Sequence, residues 1–162
     1  MPRTDSGVPD VGSFHLRLRV YYEDTDAGGV VYHARYLAFA ERARTEALRA
    51  LGVPHAELVE QHGSIFVVRR VEMEYLRPAR LDDELDVLTG PWEVAAAAVW
   101  VRQGFRVAGQ EIGRLRVQLA CVRPADGRPV RIPRRWRAAL GAAGEADSGG
   151  EGGGGSRRGS SG

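Results

Sequence analysis

One long amphipathic helix, followed by four strand-like segments, is the feature that most constrains the fold of this chain. The helix is predicted over residues 30–51, where apolar side chains fall in one arc at 100° per residue and polar side chains in the opposite arc. Gly52 and Pro54 end it. A single helix with so wide an apolar arc needs a sheet to cover it. The arc is formed by Tyr36, Leu37, Phe39, Ala40, Ala43, Ala47, Ala50 and Leu51.

The segments around this helix have the patterns of strands joined by short connections. Residues 14–22 alternate apolar and polar side chains, which is typical of a half-buried strand. Short connections between consecutive strands imply antiparallel pairing, so the sequence predicts an α+β fold. The other predicted elements are a short helix at 54–62, strands at 64–75, 81–89, 92–107 and 111–122, a tight hairpin at 108–110, and a closing helix at 134–140.

Composition excludes several classes of protein. The chain has one cysteine, Cys121, so a disulfide framework and a cysteine-based zinc site are both ruled out. Because Cys121 lies among apolar residues of a predicted strand, we expect a buried, inert thiol. The longest apolar run, residues 94–101, is far shorter than the ~20 residues of a membrane helix, and residues 1–13 lack a signal peptide's apolar segment. We therefore expect a cytoplasmic protein without membrane insertion.

Charge and composition change toward the C-terminus. Residues 113–137 contain eight Arg and one Asp in a chain whose net charge is only +2. Such a stretch can bind a ligand that carries phosphate groups, or it can simply form a solvent-exposed face. We expect no nucleic-acid partner. Residues 148–162 contain only Gly, Ser, Arg and Glu. We expect a flexible segment at 1–12, the folded domain at 13–141 and a disordered, dispensable tail at 142–162.

The loop before the long helix is the best candidate for chemistry. No nucleophile elbow and no dinucleotide-binding glycine pattern occurs, whereas residues 23–29 place three acids ahead of two glycines. A calcium loop would need Glu where Arg35 stands. An acid here could simply cap the helix, but capping does not explain Gly28 and Gly29, which allow a ligand to approach the helix N–H groups. Asp26 could then act on a polarised carbonyl as base or nucleophile.

Two polar residues interrupt the apolar side of the predicted helix. His33 is expected in its first turn, seven residues after Asp26, where both side chains could face one cleft. The alternative for His33 is a histidine packed in the core. Arg44 is interpreted as a structural residue, paired with Glu23 or Glu72.

Residues 20–36, VYYEDTDAGGVVYHARY, resemble the hotdog-fold acyl-CoA thioesterases related to hydroxybenzoyl-CoA thioesterase, and most closely the Tol-Pal-associated branch. The similarity continues through ERARTE at 41–46, FVVR at 66–69 and YLRPARLDD at 75–83, and covers about residues 14–133. The resemblance implies a hotdog fold, in which one long central helix is wrapped by a five- to six-stranded antiparallel sheet.

The same resemblance implies an activity and its residues. The activity is hydrolysis of an acyl-CoA thioester with no metal and no other cofactor. Asp26 is the implied catalytic carboxylate, the backbone N–H at His33 polarises the thioester carbonyl, and the His33 side chain is also implicated. The implied assembly is a dimer or tetramer with its sites at the subunit interface. The implied substrate-binding residues are Tyr22, Gly28, Gly29, Val31 and Tyr32.

Two other functions remain open. One is a scaffold that binds acyl carrier protein, which is acidic, or enzymes of phospholipid synthesis through the basic residues 114–137. The other is a hotdog enoyl hydratase or dehydratase. In that group the histidine follows its aspartate after five residues, whereas the separation here is seven, which argues against it.

Overall fold

A single antiparallel sheet with helices packed against it forms the described part of the chain, residues 13–145 of this computed structural model. The strand order is β1-β3-β4-β5-β2, and every pairing is antiparallel. The predicted α+β class is therefore confirmed. In chain order the elements are β1 (Phe14–Arg19), a 3-10 turn (Tyr22–Asp24), α1 (Arg35–Ala50), α2 (His55–His62), β2 (Ile65–Tyr75), β3 (Glu84–Val94), β4 (Ala98–Val107), β5 (Gln110–Val122) and α3 (Arg134–Glu145).

The core lies between α1 and the sheet. The helix contributes Tyr36, Phe39 and Leu48, and the sheet contributes fully buried valines and Phe105. Near the C-terminus of the fold, α3 packs against β3, and its fully buried Trp136 donates a hydrogen bond to the carbonyl oxygen of Val53. The core is thus mostly aliphatic, with a few aromatic rings at its ends.

The long helix is shorter than the sequence predicts. Val30 and Val31 form isolated bridges, with Arg80 and Thr25 respectively, so this segment is extended and α1 begins only at Arg35. The predicted apolar arc is also wrong at its margins, because Leu37, Ala50 and Leu51 are exposed while Leu48 is buried. These errors have one cause: 3.6-residue periodicity does not show where the sheet stops covering the helix.

The boundary between the third and fourth strands also differs from the prediction. Pro91 does not separate two strands, since β3 continues through it to Val94 and the chain turns at residues 95–97. The pairing of β3 with β4 shifts register between Thr89 and Trp92, and Pro91 falls in that interval. A proline is tolerated there because the irregular pairing requires no backbone N–H donor at that position. The predicted hairpin at 108–110 is confirmed, with positive φ at Ala108 and Gly109.

The ends of the domain can be compared only in part. Helix α3 runs to Glu145, so residues 142–145 of the range expected to be a tail are helical. The expected flexible segment at 1–12 and the rest of the expected tail, residues 146–162, lie outside the described residues.

Candidate active site

A tight turn holds Asp26 ahead of α1. The Asp26 backbone N–H donates to the Val30 oxygen at 2.9 Å, and the Gly29 N–H donates to the Asp26 oxygen at 3.0 Å. Oδ1 of Asp26 accepts a hydrogen bond from the Gly28 N–H at 2.8 Å. The carboxylate is exposed, and its other oxygen accepts no hydrogen bond from residues 13–145. One edge of this carboxylate is therefore oriented and the other is available to a ligand.

Asp24 has a structural role beside that turn. Its buried carboxylate accepts hydrogen bonds from the Tyr21 N–H at 2.8 Å and from Nε of Arg35 at 2.6 Å. Its carbonyl oxygen accepts the Tyr32 N–H at 2.9 Å. Asp24 thus ties the loop to the first residue of α1 through an ion pair. Neither Asp24 nor Asp26 caps α1, since the residue before the helix is Ala34 and no side chain caps it, so capping does not explain these acids.

The start of α1 offers unused hydrogen-bond donors. His33 and Ala34 precede the helix, and within the described residues no acceptor meets the backbone N–H of either one. Both residues are exposed. The free N–H groups and the positive end of the helix dipole together suit a developing negative charge. The His33 side chain is exposed rather than packed in the core, and its ring lies 4.5 Å from that of Tyr32.

Tyr75 fixes the start of α1 from the sheet. Its hydroxyl donates to the His33 carbonyl oxygen at 2.7 Å, so the C-terminal end of β2 is attached to the residue that carries the free N–H. Burial raises the pKa of this phenol, so the hydroxyl stays protonated at neutral pH. Sequence reasoning missed Tyr75 as a site residue. The available signals were its position at the end of a strand and at the start of the family-like segment YLRPARLDD.

The other residues assigned to the site occupy different environments. Gly29 has a φ of +77°, which the turn requires. Tyr32 is half-exposed beside His33, whereas Tyr22 is 83% exposed in the 3-10 turn instead of facing inward from a strand. Val31 is buried in the core, and its N–H donates to Ala79. Val31 therefore supports the loop from below, while Gly28 and Gly29 form the accessible turn beside Asp26.

Arg44 is buried but is not paired with an acid. Its Nη1 donates to Oε1 of Gln103 at 2.9 Å, and Nε2 of Gln103 donates to the Ala40 oxygen and to Oγ1 of Thr89, both at 2.9 Å. The prediction of a pair with Glu23 or Glu72 is wrong. Gln103 is the β4 residue opposite the middle of α1, while Glu23 lies beside Arg35 before that helix begins.

The basic stretch at the C-terminal end of the domain is divided among several small clusters. Arg114 on β5 pairs with Glu111 and Glu74, and the Arg116 guanidinium stacks on Trp100 at 3.9 Å. Other members pair locally, including Arg123 with Asp126 and Arg135 with Glu57. The stretch is therefore not one continuous positive surface. Cys121 is buried as expected, and burial raises the pKa of its thiol despite an opposing hydrogen bond with Ser64.

The described residues form neither a metal-binding cluster nor a membrane-spanning helix. In the described range, no group of three or more His, Cys, Asp or Glu side chains could hold a metal ion. Helices that combine the length and the apolar character needed to cross a bilayer are absent from residues 13–145.

The strand β2 carries an uncovered apolar stripe at one edge of the sheet. Among residues 13–145 only β5 pairs with β2, so no other strand of the described range covers the second edge of β2. Val71 and Met73 pair with the buried residues Val117 and Leu115, which places them on the side of the sheet that faces the helices. Val68, Val71 and Tyr75 are nevertheless each more than a third exposed. An apolar strand edge of this length normally requires a partner.

Comparison with known proteins places this geometry in a family. Residues 20–140 match the model of the thioesterase-like superfamily. The chain is 44% identical over 127 residues to an acyl-CoA thioesterase, YbgC, of Haemophilus influenzae, covering 78% of this chain and 93% of that protein. It is 42% identical over 124 residues to an Escherichia coli acyl-CoA thioester hydrolase, also YbgC, covering 75% and 90%.

A solved structure supports the same assignment. The crystal structure of a probable thioesterase from Bartonella henselae matches with a TM-score of 0.71 and 35% identity, covering 75% of this chain and 99% of that one. The hotdog arrangement expected from the resemblance is thereby confirmed. The chain belongs to the thioesterase-like superfamily.

Proposed function

We propose that this protein hydrolyses acyl-CoA thioesters, with Asp26 and the backbone N–H of His33 as the reacting groups. The observation that carries the proposal is the free His33 N–H at the start of α1, following a turn that presents the exposed Asp26 carboxylate. An N–H donor for the carbonyl oxygen and a carboxylate nearby are what acyl transfer to water needs. Identities of 42–44% to proteins named as acyl-CoA thioester hydrolases support the substrate class.

The reaction follows from these groups. The thioester carbonyl oxygen accepts the His33 N–H, which stabilises the negative charge that develops there. As a general base, Asp26 takes a proton from water while the oxygen of that water attacks the carbonyl carbon. The carbon–sulfur bond then breaks and coenzyme A leaves as a thiolate, so no strong acid is needed. As a nucleophile, Asp26 would instead form a mixed anhydride that water hydrolyses in a second step. Neither route uses a metal or a cofactor.

The proposal includes a homodimer that pairs the two β2 edges. Pairing would cover Val68, Val71 and Tyr75 and extend the sheet across both subunits. Because Tyr75 holds the start of α1, this interface would border the reacting groups. Assembly of two dimers into a tetramer, a cytoplasmic location and an association with the Tol-Pal system are further parts of the proposal, and they rest on the resemblance of residues 20–36.

Release of free thiol from a panel of acyl-CoAs tests the proposed reaction. The panel includes short, long and aromatic acyl groups, and each is compared between wild type and Asp26→Asn. We expect kcat to fall by about 10²- to 10⁴-fold in the variant, because the general base or nucleophile is lost. Asp82→Asn is the matched control, since Asp82 is an exposed loop residue with a φ of 69° that asparagine tolerates.

Two outcomes would overturn this assignment. If Asp26→Asn kept a near-wild-type rate, Asp26 would not be the reacting carboxylate. If wild type released no thiol from any acyl-CoA, the scaffold function would be preferred, and a salt-sensitive complex with acyl carrier protein would then be sought. A single turnover in heavy-oxygen water tests for the nucleophilic route. Heavy isotope in the Asp26 carboxylate would establish that route, because general-base catalysis places it only in the released acid.

A further inference from the structure

A second feature, away from the Asp26 turn, concerns which acyl groups this protein accepts. A cavity of about 350 Å³ lies between α1, α2 and the helix-facing sides of β2 and β5. Its apolar wall includes Phe66, Val68 and Leu119, and its polar wall includes Glu41, Arg44 and His55. Val68 belongs to the uncovered stripe of β2, so the cavity reaches the edge where the second subunit is proposed to bind.

Arg44 is the unusual member of this wall. Its side chain is only 7% exposed, yet the described residues place no carboxylate within ion-pair distance of it. Its single hydrogen bond goes to a neutral amide, Gln103, which is itself held by the Ala40 carbonyl and by Thr89. A buried guanidinium is normally matched by an anion or by several acceptors. Here the network fixes the position of the cation and leaves other donors unused.

The unused donors of Arg44 are not sealed inside the protein. In the described part of the chain, a few buried side-chain nitrogen and oxygen atoms lack both solvent contact and a hydrogen-bond partner, and none of them belongs to Arg44. Arg44 also lines the cavity. Burial lowers the pKa of the His55 imidazole, so this neighbour contributes no positive charge at neutral pH. Glu41 is an exposed residue of the same wall and makes no ion pair with Arg44, but its charge opposes the lowering of the Arg44 pKa that burial causes. The cavity thus combines an apolar passage with one fixed hydrogen-bond donor, which suits an acyl chain that carries oxygen at its far end.

Within one chain, short acyl groups do not span the distance from the Asp26 turn to the cavity. Arg44 is eleven residues after His33, or about 16 Å along the direction of α1, which is longer than a six-carbon acyl group. Tyr75, which holds His33, and Phe66, which lines the cavity, are nine residues apart on β2, or about 30 Å along the strand. Antiparallel pairing of two β2 strands would reverse this relation, because the C-terminal end of one strand then lies beside the N-terminal end of the other. The Asp26 turn of each subunit would come next to the cavity of its partner.

From these observations we infer that Arg44 selects acyl groups with a hydrogen-bond acceptor oxygen at the distal end, and that it acts on the substrate hydrolysed by Asp26 of the partner subunit. This inference rests on the proposed thioesterase activity and on the β2 dimer. Arg44 is a specificity-determining residue in this scheme and takes no part in bond breaking. A hydroxyl and a carboxylate share the required chemistry, and the substrates below distinguish them.

Selectivity between acyl groups of matched length tests the role of Arg44. Butyryl-CoA, 4-hydroxybutyryl-CoA and succinyl-CoA form one set, and hexanoyl-CoA, 6-hydroxyhexanoyl-CoA and adipoyl-CoA form a second. In wild type we expect kcat/KM for at least one oxygen-bearing member to exceed that for the hydrocarbon member. Arg44→Met should reduce this ratio about 10- to 100-fold, mainly through KM, because a hydrogen bond to a charged group is lost.

Two further variants separate recognition from folding. Arg44→Lys keeps a cation, so it should restore part of the kcat/KM ratio between oxygen-bearing and hydrocarbon substrates. If Arg44 had only a structural role, its substitution would lower kcat/KM equally for both kinds of substrate. Arg42→Met is the matched control, because Arg42 is an exposed arginine of the same helix and is not on the cavity wall. An Arg44→Met ratio equal to that of wild type, with normal rates, would overturn the inference.

Mixed dimers test whether the cavity serves the partner's Asp26. Chains carrying only Asp26→Asn and chains carrying only Arg44→Met are co-expressed with different tags, and the heterodimer is purified. If the two residues act across the interface, one site of the heterodimer combines a native Asp26 with a native Arg44, and the wild-type ratio returns. If they act within one chain, the only active site lacks Arg44, the ratio stays that of Arg44→Met, and the inference fails. Absence of activity in wild type would instead refute the proposed function.

Discussion

At the scale of single residues, Gly28 controls where the Asp26 carboxylate lies. A Cβ placed on Gly28 would stand 3.2 Å from Oδ1 of Asp26, closer than side-chain carbons normally approach. The Gly28 N–H also donates to that oxygen. The absence of a side chain at residue 28 therefore allows the carboxylate to lie against the turn while its other edge stays exposed.

Gly28→Ala should lower kcat with little effect on stability. The new methyl group would push the carboxylate by a few tenths of an ångström, and we expect about a tenfold loss of kcat, since displacements of this kind are costly in a positioned site. The free energy of unfolding should change by less than about 1 kcal/mol. Gly104→Ala is the matched control, because a Cβ there meets nothing within 4 Å. Equal rates for the two variants would argue that the orientation of Asp26 is unimportant.

The second residue-scale prediction concerns His55 and pH. Burial is the main cause of its lowered pKa; Glu41 opposes the shift and Arg44 adds to it. Because the pKa in the folded state is below the ordinary 6.5, the unfolded state binds more protons in this range. The contribution of His55 to stability is thus complete above about pH 6.5 and is lost as pH falls through the folded-state pKa. Urea unfolding measured at pH 7.5 and 5.5 gives the free energy of unfolding at each pH. The decrease in this free energy between the two pH values should be smaller for His55→Gln than for wild type. An identical pH dependence would contradict this.

At the scale of elements, β2 differs most from its neighbours. It is an edge strand of eleven residues whose helix-facing side is left partly uncovered by α1 and α2. The opposite edge strand, β1, has six residues, and Arg17 and Arg19 on it pair with Asp86 and Glu84 of β3. Charges on a short edge strand discourage pairing with another chain, whereas the apolar residues of β2 invite it. The structure therefore favours β2 as the edge that pairs.

Val71→Lys should dissociate the proposed dimer. A charged side chain in the uncovered stripe would be desolvated by a second copy, so the assembly should weaken while the monomer keeps its fold. Val71 is 39% exposed, and Val59 on α2, which is 48% exposed, supplies the control Val59→Lys. Sedimentation velocity should give a smaller species for the first variant only. If both variants sedimented like wild type, β2 would not be the interface.

At the scale of the whole molecule, the core of residues 13–145 is complete without the C-terminal segment. Trp136, Ile132 and Leu140 close the core at the C-terminal end of the domain and are fully buried. Residues 148–162 contain no apolar side chain, so they have no apolar surface to contribute to it.

Deletion of residues 146–162 should therefore leave both stability and activity at their wild-type values. The measurements are the midpoint of urea unfolding and kcat/KM on the best acyl-CoA. Trp136→Ala provides the contrast: it removes a buried aromatic ring and should cost about 3–5 kcal/mol of unfolding free energy. A deletion that lowered the midpoint would show that the segment contacts the domain.

The sequence by itself determined most of the elements and pointed to the loop that is proposed to carry the chemistry. The helical period around Ala40 and Ala43 and the turn at Gly109 are local patterns that appear where they were predicted. The alternation in residues 14–22 also gives a strand, but that strand ends at Arg19 and a 3-10 turn follows it. The similarity of residues 20–36 to thioesterases is also a property of the chain alone, and the family comparison agrees with it. Local periodicity and motif composition depend on near neighbours in sequence, so they can be recognised without any knowledge of packing.

Only the tertiary structure decided which distant groups meet. Arg44 bonds to Gln103, 59 residues away, and Tyr75 bonds to the carbonyl of His33, 42 residues away. The start of α1 at Arg35 depends on bridges that hold Val30 and Val31 extended. The cavity beside Arg44 is formed by residues of α1, α2, β2 and β5, which are distant in sequence. Strand order and burial determine these contacts, and neither can be deduced from the spacing of residues along the chain.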